Sequence, residues 1–443
     1  MNRTLWKGSA FIALIVALAG CGSNTGGASE SSGKSPVPQG QPNNPADLVK
    51  QVSEKKAELI IGSSSGGNND AFMRDFGIKI GEKFPNYTIK YIDGSFKTYI
   101  ESGQSYDIFI SSAGLTPASV LTYNLQSDIS DLVKKYSFDL TKLEPSTIEI
   151  QRQYANGGIY GLPVSTTSAA LFYNKDLFDR FGVPYPKDGL TWDELYELAK
   201  KMTRSDSGVA YKGLTMAFQH MMLLNQLSAP HIDSTTFKSL FTENRFIQAF
   251  ENMARFYKIP GNELPSNTFY LDNQQLPFYK DKTVAMLLTL STGGVNFGDL
   301  NWDMAKFPVF KDKADTGPQT YPNYFYMTST SKQRDAAFQV LSYVASEEFQ
   351  QWQIRSGTPS ILKDQSKFAS QFGIDQPVYK GKHIGVILPE KFAAPTMKTL
   401  YQATADKEML AALGAYSAGQ DVNTALREAS ERVDKTIATT KNK

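Results

Sequence analysis

The sequence predicts an α/β fold, because short apolar runs typical of buried strands alternate with helical patterns along most of the chain. Strand-like runs lie at residues 57–61, 87–92 and 106–110, each bounded by turn residues. Between the first two, a phenylalanine or isoleucine recurs at every fourth position from Phe72 to Phe84, which is the spacing of one helical face. Strands that alternate with helices form mostly parallel sheets, and ligands bind such sheets at the carboxyl ends of the strands.

The composition is that of a large globular protein and argues against some classes of partner. The chain has 443 residues, 41% of them hydrophobic, and a formal net charge of +2. This length suggests two or three domains, and the lack of a basic stripe argues against nucleic-acid binding. Cys21 is the only cysteine, so no disulfide can form within the chain and the fold must rely on its hydrophobic core.

Residues 1–20 have the pattern of a lipoprotein signal peptide. Two basic residues precede an uncharged segment, residues 8–20, which is shorter than the roughly 20 apolar residues that a membrane span needs. The segment runs into Leu-Ala-Gly-Cys at residues 18–21, which resembles the bacterial lipobox, whose cysteine is lipidated and becomes the mature N-terminus. We expect a lipid anchor on Cys21; the alternative is an ordinary signal peptide followed by a cysteine that occurs by chance.

Residues 21–46 predict a flexible tether. They are mostly glycine, serine, asparagine, proline and glutamine, and such a segment cannot bury enough apolar surface to fold. A lipid anchor followed by a tether predicts a globular body held at the extracytoplasmic face of the cell membrane.

Residues 157–174 place four consecutive hydroxyl side chains between two strand-like segments. Paired glycines and an apolar run over residues 157–164 suggest a tight hairpin, and residues 169–174 form the next strand. Ser-Thr-Thr-Ser at residues 165–168 lies between them. Buried hydroxyl groups without partners are costly, so this cluster predicts a polar ligand that would satisfy them.

Two helices follow this second strand. Residues 175–182 read as a short helix that Gly182 terminates. Thr-Trp-Asp-Glu at residues 191–194 is a capping box, in which the threonine hydroxyl and the glutamate carboxylate each accept from a backbone amide. The apolar stripe of the helix behind it is formed by Leu195, Leu198, Ala199 and Met202.

These segments together resemble the extracellular solute-binding proteins of ABC importers, of the maltose-binding type. The matching pieces are Tyr-Gly-Leu-Pro at residues 160–163, Leu-Phe-Tyr-Asn-Lys-Asp-Leu-Phe at 171–178 and Thr-Trp-Asp-Glu-Leu at 191–195. Further matching pieces extend the resemblance from about residue 57 to the C-terminus. The resemblance implies a two-lobed periplasmic-binding-protein-like fold of type II, in which each lobe is a mostly parallel sheet flanked by helices and hinge strands join the lobes.

The resemblance also implies how the chain divides between the lobes. Residues 57–164 plus 284–328 are expected to form lobe 1, and residues 165–283 plus 329–443 to form lobe 2. Three crossings follow from this division, at Val164, at the return strand over residues 278–287, and near residues 326–330.

The function implied by the resemblance is capture of a small polar solute by hinge closure, followed by delivery to ABC permease subunits. The protein is expected to act as a monomer, to need no cofactor and to catalyse no reaction. The candidate ligand-binding residues take their positions from the family and their types from the chemistry of hydroxyl recognition: Ser63, Ser64, Asn68, Asn69, Ser111, Ser112, Thr166, Thr167, Ser168, Phe218, Gln219, His220, Ser291, Thr292, Tyr321, Asn323 and Tyr324.

A mono- or oligosaccharide is the expected solute, because sugar rings stack on aromatic rings while polar groups bind their hydroxyls. Tyr321 and Tyr324 are expected to stack on the solute or to hydrogen-bond to it, with plain packing as the alternative, and Trp302 fits either the core or the site. Thr167 stands where the maltose-binding type has an acidic sugar-binding residue, and no tryptophan lies near Ser291, so maltodextrin is not expected. A polyol, a peptide or an organic anion remains an alternative solute, and a ligand receptor for a sensor remains an alternative role.

A hydrolase is a remote alternative. Residues 62–66 match Gly-x-Ser-x-Gly, with Ser64 as the nucleophile. A nucleophile elbow needs several strands and an oxyanion loop before it, however, and only the tether and one strand precede Ser64. His383 is the only histidine in a plausible order behind it. The loop also lacks the lysine of a P-loop, and the three histidines are too isolated to predict a metal site.

Overall fold

The computed structural model describes residues 44–65, 67–264 and 268–441. The predicted signal peptide, Cys21 and nearly all of the predicted tether lie outside the described residues. Asn44 caps the first helix, which begins at Pro45, so the last two residues of the predicted tether are helical. None of the helices within the described ranges is long and apolar enough to cross a membrane.

Ten strands and fifteen α-helices make up the regular structure of the described residues. The strands are β1 (Ala57–Ser63), β2 (Tyr87–Tyr91), β3 (Ile108–Ser112), β4 (Gly161–Ser165), β5 (Ala169–Asn174), β6 (Arg204–Asp206), β7 (Val209–Met216), β8 (Val284–Leu290), β9 (Trp302–Ala305) and β10 (Asn323–Met327). The helices are α1 (Pro45–Ser53), α2 (Asn69–Phe72), α3 (Ile78–Lys83), α4 (Phe96–Glu101), α5 (Ser130–Lys135), α6 (Pro145–Tyr154), α7 (Lys175–Phe181), α8 (Trp192–Met202), α9 (Phe218–Leu223), α10 (Asn244–Ala254), α11 (Leu271–Tyr279), α12 (Arg334–Val344), α13 (Glu347–Arg355), α14 (Gln402–Ser417) and α15 (Val422–Lys441). A π-helical turn, Met73–Gly77, joins α2 to α3.

The strands form two five-stranded sheets, which confirms the predicted two-lobed α/β class. The first sheet has the order β2-β1-β3-β10-β4, and the second has the order β6-β7-β8-β5-β9. We call the first sheet with its packed helices lobe 1, and the second sheet with its packed helices lobe 2. Several predicted elements have the expected bounds, including β5, α7 with Gly182 in the left-handed conformation, and α8 with its capping box.

The sheets are more mixed than predicted. Strand β1 is parallel to β2 and β3, and β7 is parallel to β8. The remaining pairings, of β10 with β3 and β4, of β5 with β8 and β9, and of β6 with β7, are antiparallel. The predicted hairpin before residue 165 is also absent, because β4 pairs with the distant strand β10. Alternation of strands with helices predicts parallel neighbours only for consecutive strands, whereas strands that enter a sheet after a crossing can run in either direction.

The division of the chain between the lobes needs two corrections. Strand β8 lies between β7 and β5 in the second sheet, so residues 284–290 belong to lobe 2 and the predicted return strand does not cross. Helix α12 packs against β1, β4 and β10, so residues 334–344 belong to lobe 1 and not to lobe 2. Both segments are apolar enough to be buried against either sheet, and their sequences do not specify which sheet they join.

Of the three predicted crossings between the lobes, only the first lies close to its predicted place. The first crossing, residues 166–168, joins β4 to β5. The second, residues 306–322, joins β9 to β10, and it precedes the predicted crossing near residues 326–330. The third lies between α13 and α14, because α14 and α15 pack with α10 in the core of lobe 2.

Candidate functional site

The hydroxyl groups of the first crossing bind the second crossing. The Thr166 and Thr320 hydroxyl oxygens are 2.7 Å apart, and the Ser168 hydroxyl donates to the carbonyl oxygen of Gln319 at 3.1 Å. Both Thr166 and Ser168 are buried. These hydroxyls are thus satisfied within the protein, and the inference that they need a ligand for this purpose is wrong.

Thr167, between them, faces the end of β8. Its hydroxyl oxygen is 3.1 Å from that of Ser291 and 3.4 Å from that of Thr292. Ser291 is fully buried, whereas Thr292 is only partly buried. The first crossing and the end of β8 therefore meet, and Thr292 has the more accessible hydroxyl of this group.

The loops that follow β1 and β3 are joined by hydrogen bonds. Ser64 donates to the hydroxyl oxygen of the buried Ser111 at 2.8 Å. The backbone amide of Ser112 donates to the hydroxyl oxygen of Ser65 at 2.9 Å, and the Ser65 hydroxyl lies 3.4 Å from Oδ1 of Asn323. Ser65 was not among the candidate residues predicted from the sequence, although it belongs to the same serine-rich loop.

A cavity of about 210 Å³ opens beside this loop in lobe 1. It lies at the carboxyl ends of β1 and β3, where parallel strands of α/β folds bind ligands. Its polar lining is supplied by Ser63, Ser65, Asp75, Tyr91, Ser165, Asn323, Gln353 and Thr358. The cavity is smaller than the roughly 300–1,000 Å³ of typical small-molecule sites, so this cavity alone offers room for only part of a larger solute.

Tyr321, in the second crossing, contacts both lobes. Its hydroxyl oxygen is 3.4 Å from that of Ser112 in lobe 1, and its ring centroid is 6.0 Å from that of His220 in lobe 2. Its backbone amide donates to the carbonyl oxygen of Thr167 at 2.9 Å. A Cβ atom at position 114 would lie 2.5 Å from the Tyr321 hydroxyl oxygen, so Gly114 makes room for this ring. Burial raises the pKa of the Tyr321 phenol, which therefore stays neutral.

Gln219 and His220 form the wall of lobe 2, directly after β7. The side-chain amide of Gln219 donates to Asp406 at 2.8 Å, and burial raises the pKa of Asp406 to about 6. Lys398 is also buried, and burial lowers its pKa to about 7. Asp406 and Lys398 were not predicted from the sequence, because they lie more than 170 residues away from Gln219 and His220 in a segment without a motif.

The family of the chain follows from comparison with known proteins. A model of the family described as bacterial extracellular solute-binding protein matches residues 67–351, which is more than half of the chain. The chain belongs to this family.

Solved structures of similar fold cover most of this solute-binding protein. An ABC substrate-binding protein of Listeria monocytogenes in complex with cycloalternan has a TM-score of 0.68 at 16% identity, over 87% of this chain and 100% of that one. A sugar transporter protein of Rhizobium etli in an open conformation has a TM-score of 0.67 at 19% identity, over 85% and 99%. At such identities the likeness establishes the fold.

The curated relatives match over a short segment. A putative binding protein of Brucella abortus is 38% identical over 68 residues, which is 15% of this chain and 14% of that protein. An sn-glycerol-3-phosphate-binding periplasmic protein of the same species is 33% identical over 70 residues, 16% of each chain. The chain thus matches about one seventh of the length of these relatives.

Several residues predicted from the sequence do not face a site in this solute-binding protein. Tyr324 is fully buried and its hydroxyl donates to the carbonyl oxygen of Thr147 at 2.7 Å. Phe218 packs edge-on against Phe250 in the core of lobe 2, with a centroid distance of 5.4 Å. In this conformation, the prediction that these two aromatic rings contact the ligand is therefore wrong. Tyr324 lies within β10 and Phe218 is the first residue of α9, and the sequence does not show which way either side chain points.

The two asparagines after β1 are exposed and have structural partners. Asn68 accepts a hydrogen bond from the Ala71 amide at 2.9 Å and so caps α2. The backbone amide of Asn69 donates to Asp93 at 3.3 Å. Their exposure leaves ligand contact by Asn68 and Asn69 a prediction.

The structure lends no support to a hydrolase site or a metal site. Ser64 is bonded to Ser111, and His383 lies 3.7 Å from Asp188, so each has a partner other than the one a catalytic pair requires. Within the ranges the structure describes, no group of three or more histidine, cysteine, aspartate or glutamate residues is placed to hold a metal ion.

Proposed function

We propose that this protein is the lipid-anchored solute-binding component of an ABC import system and that its solute is a mono- or oligosaccharide. The observation that carries the proposal is the meeting of side chains from both lobes around Tyr321, at the carboxyl ends of β3 and β7. Similar structures are in complex with cycloalternan, D-mannitol and mannobiose, which supports a neutral polyhydroxyl solute.

The mechanism that fits this arrangement is hinge closure. Three crossings join the lobes, and the solute would bridge hydroxyl and amide groups of lobe 1 to Gln219 and His220 of lobe 2. A solute that contacts both lobes stabilises the closed state over the open one by its extra contacts. The closed state would then dock on the permease subunits as a monomer, and no step requires a reaction or a cofactor.

Solute binding is tested by a thermal-shift screen of the full chain, purified in detergent, against sugars, polyols, peptides, amino acids and anions. A solute at a hundred times its dissociation constant adds about 2.7 kcal/mol to the free energy of unfolding, so we expect a saccharide to raise the melting temperature. Tyr321→Ala should weaken that shift, whereas Tyr185→Ala, at the opposite end of β5, should leave it unchanged. If only anions or peptides raise the melting temperature, the assignment of a saccharide as the solute is overturned.

The lipid anchor is tested by metabolic labelling with palmitate in a bacterial host. We expect label on the parent chain and none on Cys21→Ser, because the thiol is the only group of the lipobox that can carry the lipid. Ser23→Ala, two residues away, is the control and should be labelled like the parent. Label on Cys21→Ser would contradict an anchor at this position.

A further inference from the structure

Gln219 has only one of its two polar atoms engaged by the protein. Its Nε2 donates to Oδ2 of Asp406 at 2.8 Å. The side chain is partly exposed, and its Oε1 accepts no hydrogen bond from the described part of the chain. A carboxylate can only accept hydrogen bonds, so Nε2 must face Asp406 and Oε1 must face away from it.

Asp406 is held in place from several sides. It is 6% exposed, and its other oxygen accepts from Nε2 of Gln402 at 2.7 Å. Nε2 of His231 is 3.7 Å from the same oxygen and has no hydrogen-bond partner in the described residues. The buried amine of Lys398 donates to the carbonyl oxygen of Leu223 at 2.9 Å and attracts the Asp406 carboxylate. This carboxylate has no access to a solute itself.

Gln219 lies beside the place where the two lobes meet, which we call the cleft. It directly precedes His220, whose ring centroid is 6.0 Å from that of Tyr321 in the second crossing. Because Asp406 accepts from Gln219 at 2.8 Å, the carboxylate lies directly behind this residue. The amide of Gln219 is thus the link between a buried charge and the place where the two lobes meet.

We propose that Asp406 is a positioning residue for the solute site: by binding Nε2 of Gln219 it turns Oε1 towards the cleft, where this oxygen accepts a hydrogen bond from a solute hydroxyl group. The inference rests on the proposed function and deepens it, because a fixed acceptor favours solutes that present a donor at this point. A group that presents only acceptors there, such as a fully ionised phosphate, is disfavoured.

The pH dependence of binding follows from the same geometry. Protonated Asp406 can donate to Oε1, and Gln219 can then turn Nε2 towards the cleft. Since the pKa of Asp406 is about 6, affinity for a hydroxyl donor should be full above pH 6 and should fall as the pH drops through 6. Of the neighbouring titratable groups, His231 has a pKa lowered to about 3 and stays neutral, burial lowers the pKa of His220, and Lys398 titrates near 7. Loss of the pH dependence in Asp406→Asn, between pH 5 and pH 6.5, is therefore what separates Asp406 from His220 and Lys398.

The test is a double-mutant cycle on the full chain, with mannobiose and mannitol as neutral probes and sn-glycerol 3-phosphate as the anionic probe. Gln219→Met replaces the side chain by one of similar size without the acceptor Oε1. Asp406→Leu removes the carboxylate that binds Nε2 of Gln219. Each should weaken binding of the neutral probe about tenfold, and the double variant should be no weaker than either one, because both act through one hydrogen bond. Gln351→Leu, the matched control, removes an amide-to-carboxylate hydrogen bond of lobe 1, to Glu347 at 3.1 Å, and should change the affinity less than twofold. Additive losses in the double variant would overturn the inference.

A second measurement keeps the inference testable if Asp406→Leu fails to fold or if the parent binds none of the probes. Glutamine side chains are labelled with ¹⁵N, and the Gln219 amide signal is assigned by its loss in Gln219→Met. We expect this signal to shift with pH with a midpoint near 6 and to lose that dependence in Asp406→Asn. An unchanged signal across the window would contradict control of Gln219 by Asp406. Failure of all probes in the parent, with the amide shift present, would count against the proposed function alone.

Discussion

Trp302→Ala is expected to lower the free energy of unfolding by about 4 kcal/mol, because it removes a large side chain from a closed aromatic cluster. Trp302 is 1% exposed. Its ring lies edge-on to Phe172 at 5.4 Å, to Phe297 at 5.6 Å and to Tyr379 at 6.3 Å. The neighbouring backbone is also close, since a Cβ atom at Gly294 would lie 2.6 Å from the indole ring. The surroundings therefore cannot relax far into the space left by the substitution.

The measurement is urea-induced unfolding followed by far-UV circular dichroism. Trp352→Ala is the matched control, because Trp352 is only partly buried and contacts Phe349 at the edge of lobe 1 with a centroid distance of 5.1 Å. We expect Trp352→Ala to lower the free energy of unfolding by less than half as much as Trp302→Ala. Equal losses for the two tryptophans would mean that the aromatic cluster around Trp302 is not the tightly packed core that the structure describes.

Gly213→Val is expected to be the most damaging single substitution in lobe 2. Gly213 lies in β7, and a Cβ atom there would come within 2.0 Å of the Ala199 carbonyl oxygen in α8. The amide of Gly213 is held by Oγ1 of Thr203 at 3.0 Å and Oδ1 of Asn262 at 2.9 Å, so the strand cannot shift without breaking these bonds. We expect a loss of about 3 kcal/mol or more from overpacking.

Gly81→Ala is the control for this substitution. Gly81 is an exposed residue in α3, and an added Cβ meets nothing within 4 Å. Alanine has a higher helix propensity than glycine, so this variant should gain about 1 kcal/mol. The two glycine substitutions therefore have opposite expected signs, and a loss for both would show that the close approach of α8 to β7 is not the cause.

Local elements of the fold could be predicted wherever a short segment contains its own signal. The capping box of α8 and the glycine after α7 depend on contacts within a few residues, and both were predicted correctly. The sheet that receives β8 is decided instead by partners more than 60 residues away along the chain. Six of its seven residues are apolar, which indicates burial and does not distinguish one sheet from the other.

The candidate site shows the same limit. The sequence identified the hydroxyl-rich segment at residues 165–168, and the structure places it against Ser291 and Tyr321. The sequence could not show that Thr320 and the Gln319 carbonyl oxygen are the hydrogen-bond partners of these hydroxyls, because they lie some 150 residues further along the chain. No sequence pattern indicated that Asp406 is buried beside the site. A single aspartate in a helix is usually exposed to solvent, and only the packing of α14 buries this one.

The strand order has a consequence for the time course of folding. Each sheet has at its interior a strand that comes late in the sequence: β8 separates β7 from β5, and β10 separates β3 from β4. A chain that emerges from its amino end therefore cannot join β7 to β5 until residue 290 is available, and cannot join β3 to β4 until residue 327 is available. Contacts of such large sequence separation slow folding. The unpaired edges of β3, β4, β5 and β7 stay exposed during this interval, which makes the growing chain a substrate for holding chaperones.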